Sequence, residues 1–304
     1  MTSGLTLVRV AVTIGAIGLM LSLAGPAFGQ TAKKKVLFLT KSSGFEHSVV
    51  KRSGDKPALV EAVLTELGAK NGFEIVCTKD GSLLADPATY TTYDVIMLYT
   101  SGDITRDSKD GGKGAGAEGL AMFLRAVENG KGVVGIHAAT DTCASKNKSA
   151  RVRPANPGPD ISPFVCMMGA DFAGHGAQQK AVNKMVSPTF PGLESLKDFE
   201  MVEEWYTFMN LAPDMHVILV QDTASMKGPK GDGNLEKLYQ RPPFPATWAR
   251  MHGKGRVFYT SLGHRDDVVK GPIFAQIVLA GLNWAAGNTQ FDPKPNMKQV
   301  CPQD

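Results

Sequence analysis

Continuous apolar runs, without polar alternation, mark the first half of this chain. Residues 35–40 (KVLFLT), 94–99 (DVIMLY) and 131–136 (KGVVGI) each have the pattern of a strand that is buried on both faces. Residues 73–77 are a fourth candidate of this kind. Since both faces of such strands need cover, the pattern predicts a parallel sheet between two layers of helices.

Apolar stripes at helical spacing accompany these strands. The first spans 59–67 and stops at Gly68, and the second spans 120–127. A third, over 272–286, begins with a proline and is followed by Gly287. The alternation of strand and helix predicts an α/β fold with a doubly wound, mostly parallel sheet that is flanked by helices.

The later half of the chain adds shorter elements to this frame. Residues 216–220 predict another strand, and 246–264 predict a late β-hairpin that turns at 253–255. Three stretches rich in Gly, Lys, Asp, Arg or Pro are predicted to be loops: 101–117, 141–163 and 223–245.

The N-terminus has the pattern of a secretory signal peptide. Arg9 precedes an apolar run over 10–24, and a helix-breaking Gly-Pro pair leads to small residues before Gln30. An uncleaved anchor is the alternative, although the run is shorter than the roughly 20 residues that span a bilayer. We therefore predict an exported protein, periplasmic or extracellular, with no stable membrane span after processing. Its predicted parts are a signal peptide over 1–29, one α/β domain over 30–290 and a C-terminal tail over 291–304.

Composition and charge narrow the class of partner. Of the 304 residues, 43% are hydrophobic and 20% are charged, which is typical of a globular domain. The formal net charge of +4 is mild and the lysines are scattered, so nucleic acid is not a predicted partner. The cysteines (Cys77, Cys143, Cys166 and Cys301) include no CxxC pair. Cys143 and Cys166 bracket a long loop, and we expect them either to pair outside the cytoplasm or to remain free thiols.

Histidines fall where the predicted strands end. His47 follows the first strand, His137 ends the run GVVGIH, and His264 ends the last strand in TSLGH. His175 lies in GADFAGH, after the second predicted loop. Parallel strands present their carboxyl ends at one edge of the sheet, where ligands bind, and His137 is expected to face a cleft there. The four histidines are predicted either to ligate a divalent metal such as Zn or to act as acid–base groups.

Acidic and aromatic residues extend this candidate site. Glu204 is predicted to be a base or a substrate ligand, and Asp103 and Asp141 are candidates for orienting the histidines. The alternative for each carboxylate is a helix cap or a salt bridge. EEWY also places carboxylates beside aromatic rings, a combination that suits sugars. The predicted catalytic residues are Glu204, His137, Asp103 and Asp141, and the predicted substrate-binding residues are Tyr206, Trp205 and Arg250.

Five sequence blocks together resemble a known family. GFEHS, GIHAATD, GADFAGH, EEWYTF and PATWARMHGKGRVFYTSLGH occur in the order expected of the ThuA-like (trehalose utilisation) family, over residues 35–287. The resemblance implies a class I glutamine amidotransferase-like (flavodoxin-like) fold and a small-molecule carbohydrate as partner. In glutamine amidotransferases the turn after this strand carries a nucleophilic cysteine. Because His137 stands there instead, the chain is not predicted to be a glutamine amidotransferase.

The resemblance further implies chemistry on an oxidised (3-keto) glycoside. A ketone acidifies the adjacent C–H, so a carboxylate or histidine base would remove that proton while a metal or cationic donor stabilises the enediolate. Elimination of the glycosidic oxygen or isomerisation would follow. Two alternatives are a non-catalytic sugar-binding module and a metal-dependent hydrolase. At the predicted rim of the cleft the chain departs from the family pattern in the loops 141–163 and 223–245 and at Arg265, where tryptophan is common.

Overall fold

The computed structural model describes residues 1–2, 33–224, 226–227 and 243–302, and those from Lys33 onward form one compact unit. Apart from its first two residues, the predicted signal peptide lies outside the described residues. In the described part the strands are β1 (Lys34–Leu39), β2 (Phe73–Thr78), β3 (Val95–Leu98), β4 (Gly132–Ile136), β5 (Asp171–His175), β6 (Gln179–Met185), β7 (Phe199–Glu203), β8 (Tyr206–Met209), β9 (His216–Asp222), β10 (Phe244–His252) and β11 (Gly255–Thr260). The α-helices are α1 (Leu59–Lys70), α2 (Pro87–Thr92), α3 (Gly116–Glu128), α4 (Pro163–Met168), α5 (Asp266–Val269), α6 (Pro272–Ala285) and α7 (Met297–Val300).

One large mixed sheet carries the fold, in the order β2-β1-β3-β4-β11-β10-β9-β6-β7. The strands from β2 to β11 pair in parallel, and those from β11 to β7 pair antiparallel. The four predicted strands of the first half are β1 to β4, and their parallel pairing is confirmed. The expected burial on both faces does not hold for β2, which lies at the sheet edge and alternates buried with exposed residues at its start. Within the antiparallel part, β10 and β11 pair from Thr247–Thr260 to His252–Gly255, with two residues between the strands.

Helices cover both faces of the inner parallel strands, which explains the continuous apolar runs of β1, β3 and β4. Val36 and Phe38 of β1 belong to the core that includes residues of α1 and α6. Their neighbours Leu37 and Leu39 belong to the opposite core, which includes residues of α3 and α4. Successive side chains of a strand point to opposite faces, so each face of β1 packs on its own helical layer. The predicted α/β fold with flanking helices is therefore confirmed.

The sequence did not predict four of these strands. β5 to β7 mix buried, partly buried and exposed positions, and β8 has only four residues. Such strands lack the continuous apolar run that marks β1, β3 and β4. Their importance is positional, since β7 and β8 flank Glu204 and β5 ends at His175.

Polar contacts hold the loop 141–163. Cys143 and Cys166 are both free thiols, so the predicted pairing between them is wrong and the alternative holds. The Ser145 amide donates to buried Asp171 (3.0 Å), and the Arg153 amide donates to the Leu211 carbonyl (3.0 Å). These bonds tie the loop to β5 and to the segment after β8 without a covalent link.

In the described ranges, no helix has both the length and the apolar character needed to cross a membrane.

Candidate functional site

Three histidines and one glutamate meet at the carboxyl edge of the parallel strands. His47 follows β1, His137 follows β4 directly, His264 follows β11, and Glu204 lies between β7 and β8. One ligand atom from each of these side chains lies within 4.8 Å of those of the others. We call these four residues the His/Glu cluster. The convergence of three strand-end histidines is as predicted, because parallel strands end at one edge of the sheet.

The distances in the His/Glu cluster suit a small cation. Glu204 Oε2 lies 3.0 Å from His264 Nδ1, 3.4 Å from His137 Nε2 and 3.9 Å from His47 Nε2. In a tetrahedral zinc site with bonds of about 2.0–2.1 Å, neighbouring ligand atoms lie about 3.3 Å apart. The three measured separations bracket that value, so these side chains fit a zinc-like ion with small adjustments.

The protonation of His137 strengthens this fit. Its Nδ1 lies 2.7 Å from the Ser261 carbonyl, which can only accept, so Nδ1 carries the proton. Burial lowers the pKa of His137 to about 3, against the attraction of Glu204, so the ring is neutral and Nε2 presents a lone pair. That buried Nε2 has no hydrogen-bond partner among the described residues, and it faces a carboxylate oxygen. Two electron-pair donors facing each other are an arrangement that a cation between them would satisfy.

The backbone of His137 is strained in a way that aims this ring. Its φ is 43°, in the left-handed region that residues other than glycine rarely adopt. A conformation of this kind costs about 1–3 kcal/mol and persists where surrounding contacts enforce it. Tyr259 donates its hydroxyl to the His137 carbonyl at 2.7 Å, which fixes the peptide. The ring is fully buried rather than open to a cleft, which corrects the sequence expectation.

Electrostatics hold the His/Glu cluster in a form ready for a cation. Burial would raise the pKa of Glu204, but His137, His264 and His47 outweigh it and hold that pKa well below its ordinary value. Burial lowers the pKa of His47, although Glu204 opposes the shift. For His264 the attraction of Glu204 outweighs burial, and the pKa is raised. At neutral pH the centre thus contains an ionised carboxylate beside the neutral imidazoles of His47 and His137, the state in which these groups bind metals, whereas a protonated His264 would have to release its proton to become a ligand.

Glu203 supports the His/Glu cluster from behind. Its fully buried carboxylate accepts from the backbone amides of Gly263 (3.0 Å), His264 (3.1 Å) and Glu204 (2.8 Å). One side chain therefore ties the end of β11 to the turn between β7 and β8. The sequence indicated that two carboxylates lie side by side, but not that one would support the other.

Tyr206 and Trp205 are structural rather than exposed sugar-binding surfaces. Tyr206 is almost fully buried, its ring centroid lies 4.1 Å from that of His137, and its hydroxyl lies 3.3 Å from His47 Nε2. Trp205 is fully buried, and its indole donates to the Gln179 carbonyl (2.8 Å). Since neither ring presents a face to solvent, the structure does not place them where a sugar could stack.

The remaining predicted polar residues divide between the rim and more distant positions. His175 Nδ1 lies 3.3 Å from the other oxygen of Glu204, and its side chain is 40% exposed. Burial raises the pKa of Asp141, which also interacts with the charge of His175. The carboxylate of Asp103 instead accepts from Thr105 and pairs with exposed Arg106 in a turn. The carboxylate of Asp103 thus forms a salt bridge, which was the alternative that the sequence analysis gave for it. His175 lies beside Glu204 but outside the His/Glu cluster.

The structure also places Arg250 away from the His/Glu cluster. In the sheet, Arg250 pairs with Val257, which pairs with Val133, whereas His137 comes four residues after Val133. At about 3.3 Å per residue, Arg250 therefore lies about 13 Å short of His137 along the strands. At that distance the Arg250 side chain does not line the site, so its predicted role in binding substrate hydroxyls there does not agree with the structure.

Phe45 is a residue of the site entrance that the sequence analysis missed. Its ring is 66% exposed, and its centroid lies 4.9 Å from that of His47. The available signal was an aromatic residue two positions before a strand-end histidine, in GFEHS.

Beside His264 there is also an open cavity of about 370 Å³, which is lined by Ser48, Gln178, His264, Arg265, Asp266 and Asp267.

Solved structures share this fold at low sequence identity. A ThuA-like protein from Bacteroides uniformis is 20% identical with a TM-score of 0.60, over 86% of this chain and 95% of that chain. A ThuA-like protein from Parabacteroides merdae is 18% identical with a TM-score of 0.58, over 90% of this chain and 98% of that chain. A cytoplasmic protein from Salmonella typhimurium LT2 is 11% identical with a TM-score of 0.51, over 83% and 99% respectively.

No curated protein matches the chain. The family model for ThuA, described as trehalose utilisation, matches residues 35–285. That range contains the whole His/Glu cluster and every strand of the large sheet except the first residue of β1. The resemblance found in the sequence blocks is confirmed, and this chain belongs to the ThuA (trehalose utilisation) family.

Proposed function

We propose that this protein cleaves or isomerises an oxidised (3-keto) glycoside at a divalent-metal centre formed by His47, His137, His264 and Glu204. The observation that carries the proposal is the unpartnered Nε2 of His137 facing Glu204 Oε2 at 3.4 Å. Zinc suits this set of three imidazoles and one carboxylate. When bound, the ion would supply Lewis-acid stabilisation of negative charge on the substrate oxygens.

His175 is the residue best placed to move the proton. It is the more exposed histidine beside Glu204, and it is not one of the four mutually close ligands. In the proposed reaction His175 accepts the proton from the carbon next to the ketone, and the released electron pair forms a carbon–carbon double bond. The glycosidic oxygen leaves with its bonding pair and takes the proton back from His175. For isomerisation, the released electron pair forms the double bond to the ketone carbon, and the ketone oxygen takes the negative charge. The proton then returns from His175 to that carbon, while the adjacent hydroxyl passes its proton to the charged oxygen and becomes the new ketone.

Phe45 and the neighbouring cavity are the proposed sugar-binding surface. An exposed aromatic ring can pack on the apolar face of a sugar while polar groups bind its hydroxyls. Gln178, Ser48 and Arg265 line the cavity beside His264, and its volume of about 370 Å³ is in the range of small-molecule sites. The family description, trehalose utilisation, supports a carbohydrate as the substrate class.

Two further parts of the sequence interpretation belong to this proposal. We propose that the fold is a variant of the class I glutamine amidotransferase-like fold in which His137 replaces the nucleophile. Cys143 is a poor substitute, because burial raises its pKa to about 11 and keeps the thiol protonated. We also propose that the protein is exported through residues 1–29.

Deuterium exchange tests the reaction and zinc titration tests the centre. The purified full chain is treated with chelator and titrated with Zn²⁺, and a 3-keto glycoside is then followed by NMR in D₂O. We expect one zinc per chain and zinc-dependent deuterium uptake beside the ketone. Glu204→Gln should lose both properties, whereas Asp103→Asn, at the exposed turn, should keep both.

The alternatives give distinct results in the same experiment. Sugar binding without exchange or cleavage would identify a sugar-binding module. Zinc-dependent cleavage of an unoxidised glycoside would identify a hydrolase. A wild-type chain that binds no zinc and promotes no exchange would overturn the proposal.

A further inference from the structure

A second cluster of charged side chains lies at the opposite edge of the sheet. Arg250 and His252 occupy the last part of β10, which runs antiparallel to its neighbour β11 and ends beside the start of that strand. Arg153, from the loop 141–163, joins them in a cavity of about 240 Å³ that is also lined by Asp214 and Cys166. None of the residues lining this cavity belongs to the His/Glu cluster.

The two arginines in this cavity differ in how their charge is balanced. Arg250 is 3% exposed and forms a bidentate pair with Asp214, at 3.2 Å and 2.9 Å. It also donates to the carbonyls of Cys166 and Met167, each at 2.7 Å, at the end of α4. The guanidinium of Arg250 is therefore bound by the Asp214 carboxylate and by two carbonyls at the end of α4, and we assign Arg250 a structural role.

Arg153 is buried without a comparable partner. It is 5% exposed, and among the described residues its guanidinium donates only to two carbonyls, those of Pro154 (3.1 Å) and Cys166 (3.3 Å). Its Nε is buried and has no hydrogen-bond partner within the described ranges. Burial lowers the pKa of Arg153 and the nearby charge of Arg250 lowers it further, with partial compensation from Cys166 and Asp214. Buried charges in proteins are ordinarily paired, so this one calls for an anion.

The charges of the cavity favour the same kind of ligand. Two arginines line the cavity with a single carboxylate, that of Asp214, whose side chain is half exposed and already engaged by Arg250. His252 also lines the cavity, and its Nε2 lies 3.7 Å from Glu128 Oε1. A planar guanidinium with a free N–H binds carboxylate and phosphate oxygens well.

We propose that this cavity, defined by Arg153, Arg250, Asp214 and His252, is a binding site for a small oxyanion, either a carboxylate or a phosphate. The ligand would accept from the unpartnered Nε of Arg153 and lie against the paired Arg250. Its size is limited by the cavity of about 240 Å³, although the wall residues Pro157, Cys166 and His252 also line a neighbouring cavity of about 440 Å³. The site does not depend on the reaction proposed for the His/Glu cluster.

Calorimetric titration of the full chain with inorganic phosphate, and separately with succinate, tests this site. Both titrations are run at low ionic strength, because salt screens the attraction. We expect saturable binding of at least one anion, and Arg153→Gln should weaken it at least about tenfold, the loss typical of a charge-assisted hydrogen bond. Arg153→Lys, which keeps the charge but not the planar fork, should weaken it less. Arg106→Gln, which removes an exposed arginine elsewhere, should leave the affinity unchanged.

A second measurement needs no variant and therefore does not depend on how the variants fold. Cys166 lines the cavity, so a bound anion should slow its alkylation by iodoacetamide, whereas alkylation of Cys77 should not change. Protection by phosphate alone would identify a phosphoryl ligand, and protection by succinate alone would identify a carboxylate. Failure of both anions to bind or protect, or wild-type affinity in Arg153→Gln, would overturn the proposal.

Discussion

Replacing Glu203 with glutamine would test how Glu203 supports the His/Glu cluster while leaving its four ligand side chains unchanged. The Glu203 carboxylate accepts three backbone N–H groups, from Gly263, His264 and Glu204, at 2.8–3.1 Å. A glutamine side chain has nearly the same shape but only one acceptor oxygen. Its amide group must face one of the three donors, so at least one buried N–H loses its partner.

The size of the effect follows from these bonds. An unsatisfied buried donor costs about 1–3 kcal/mol, and a hydrogen bond to a charged acceptor contributes about 1.5–3 kcal/mol. We therefore expect Glu203→Gln to lower the free energy of unfolding by about 2–4 kcal/mol. Two of the donors belong to the ligand residues His264 and Glu204. We therefore expect zinc affinity to fall about 10–100-fold, which is the usual loss when hydrogen-bond partners of metal ligands are mutated in other proteins.

Urea unfolding and zinc titration of the chelator-treated protein measure these two quantities. Glu200→Gln is the matched control, since Glu200 lies on the same strand but is exposed and pairs with exposed Lys180 at 3.1 Å. Its effect on stability should stay within about 0.5 kcal/mol. Wild-type stability and zinc affinity in Glu203→Gln would refute the reasoning, and lost stability with unchanged zinc affinity would restrict Glu203 to a structural role.

Four further predictions address other parts of the molecule. His264→Ala should abolish zinc binding in titration, because it removes a ligand atom that lies 3.0 Å from Glu204 Oε2; retained zinc binding would contradict its place in the cluster. Phe45→Ala should weaken sugar binding by about tenfold and leave zinc affinity unchanged, and equal sugar affinity in both proteins would exclude the stacking role. Glu61→Gln should cost about 2 kcal/mol at pH 7, since buried Glu61 bonds Arg52, Thr40 and the Ala58 amide. Burial would raise the pKa of Glu61, but these partners outweigh it and lower the pKa below 4.5, so the stabilisation is fully present above pH 4.5 and is lost as the pH falls through the lowered pKa; the difference from wild type should vanish in acid unfolding experiments below that lowered pKa. N-terminal sequencing of the exported protein should begin near Gln30, and recovery of an intact N-terminus from a soluble cytoplasmic fraction would contradict export.

The sequence by itself determined the parallel half of the fold and the general position of the site. β1, β3 and β4 are covered by helices on both faces, and this is why their apolar runs were recognisable without any structure. Parallel strands end at one edge, so histidines that follow such strands meet there whatever the details of packing. Three of the four predicted histidine ligands do meet, together with the predicted Glu204.

Only the tertiary structure decided the roles of neighbouring residues. Glu203 and Glu204 are adjacent and chemically alike, but one carboxylate points to backbone amides and the other to imidazoles. Trp205 and Arg250 were both predicted to bind substrate. Trp205 is instead fully buried, and the strand register places Arg250 far from the His/Glu cluster. These outcomes depend on which side of a turn faces the core and on which residues pair across strands. Such relations join residues that are far apart in the chain, so no local pattern contains them.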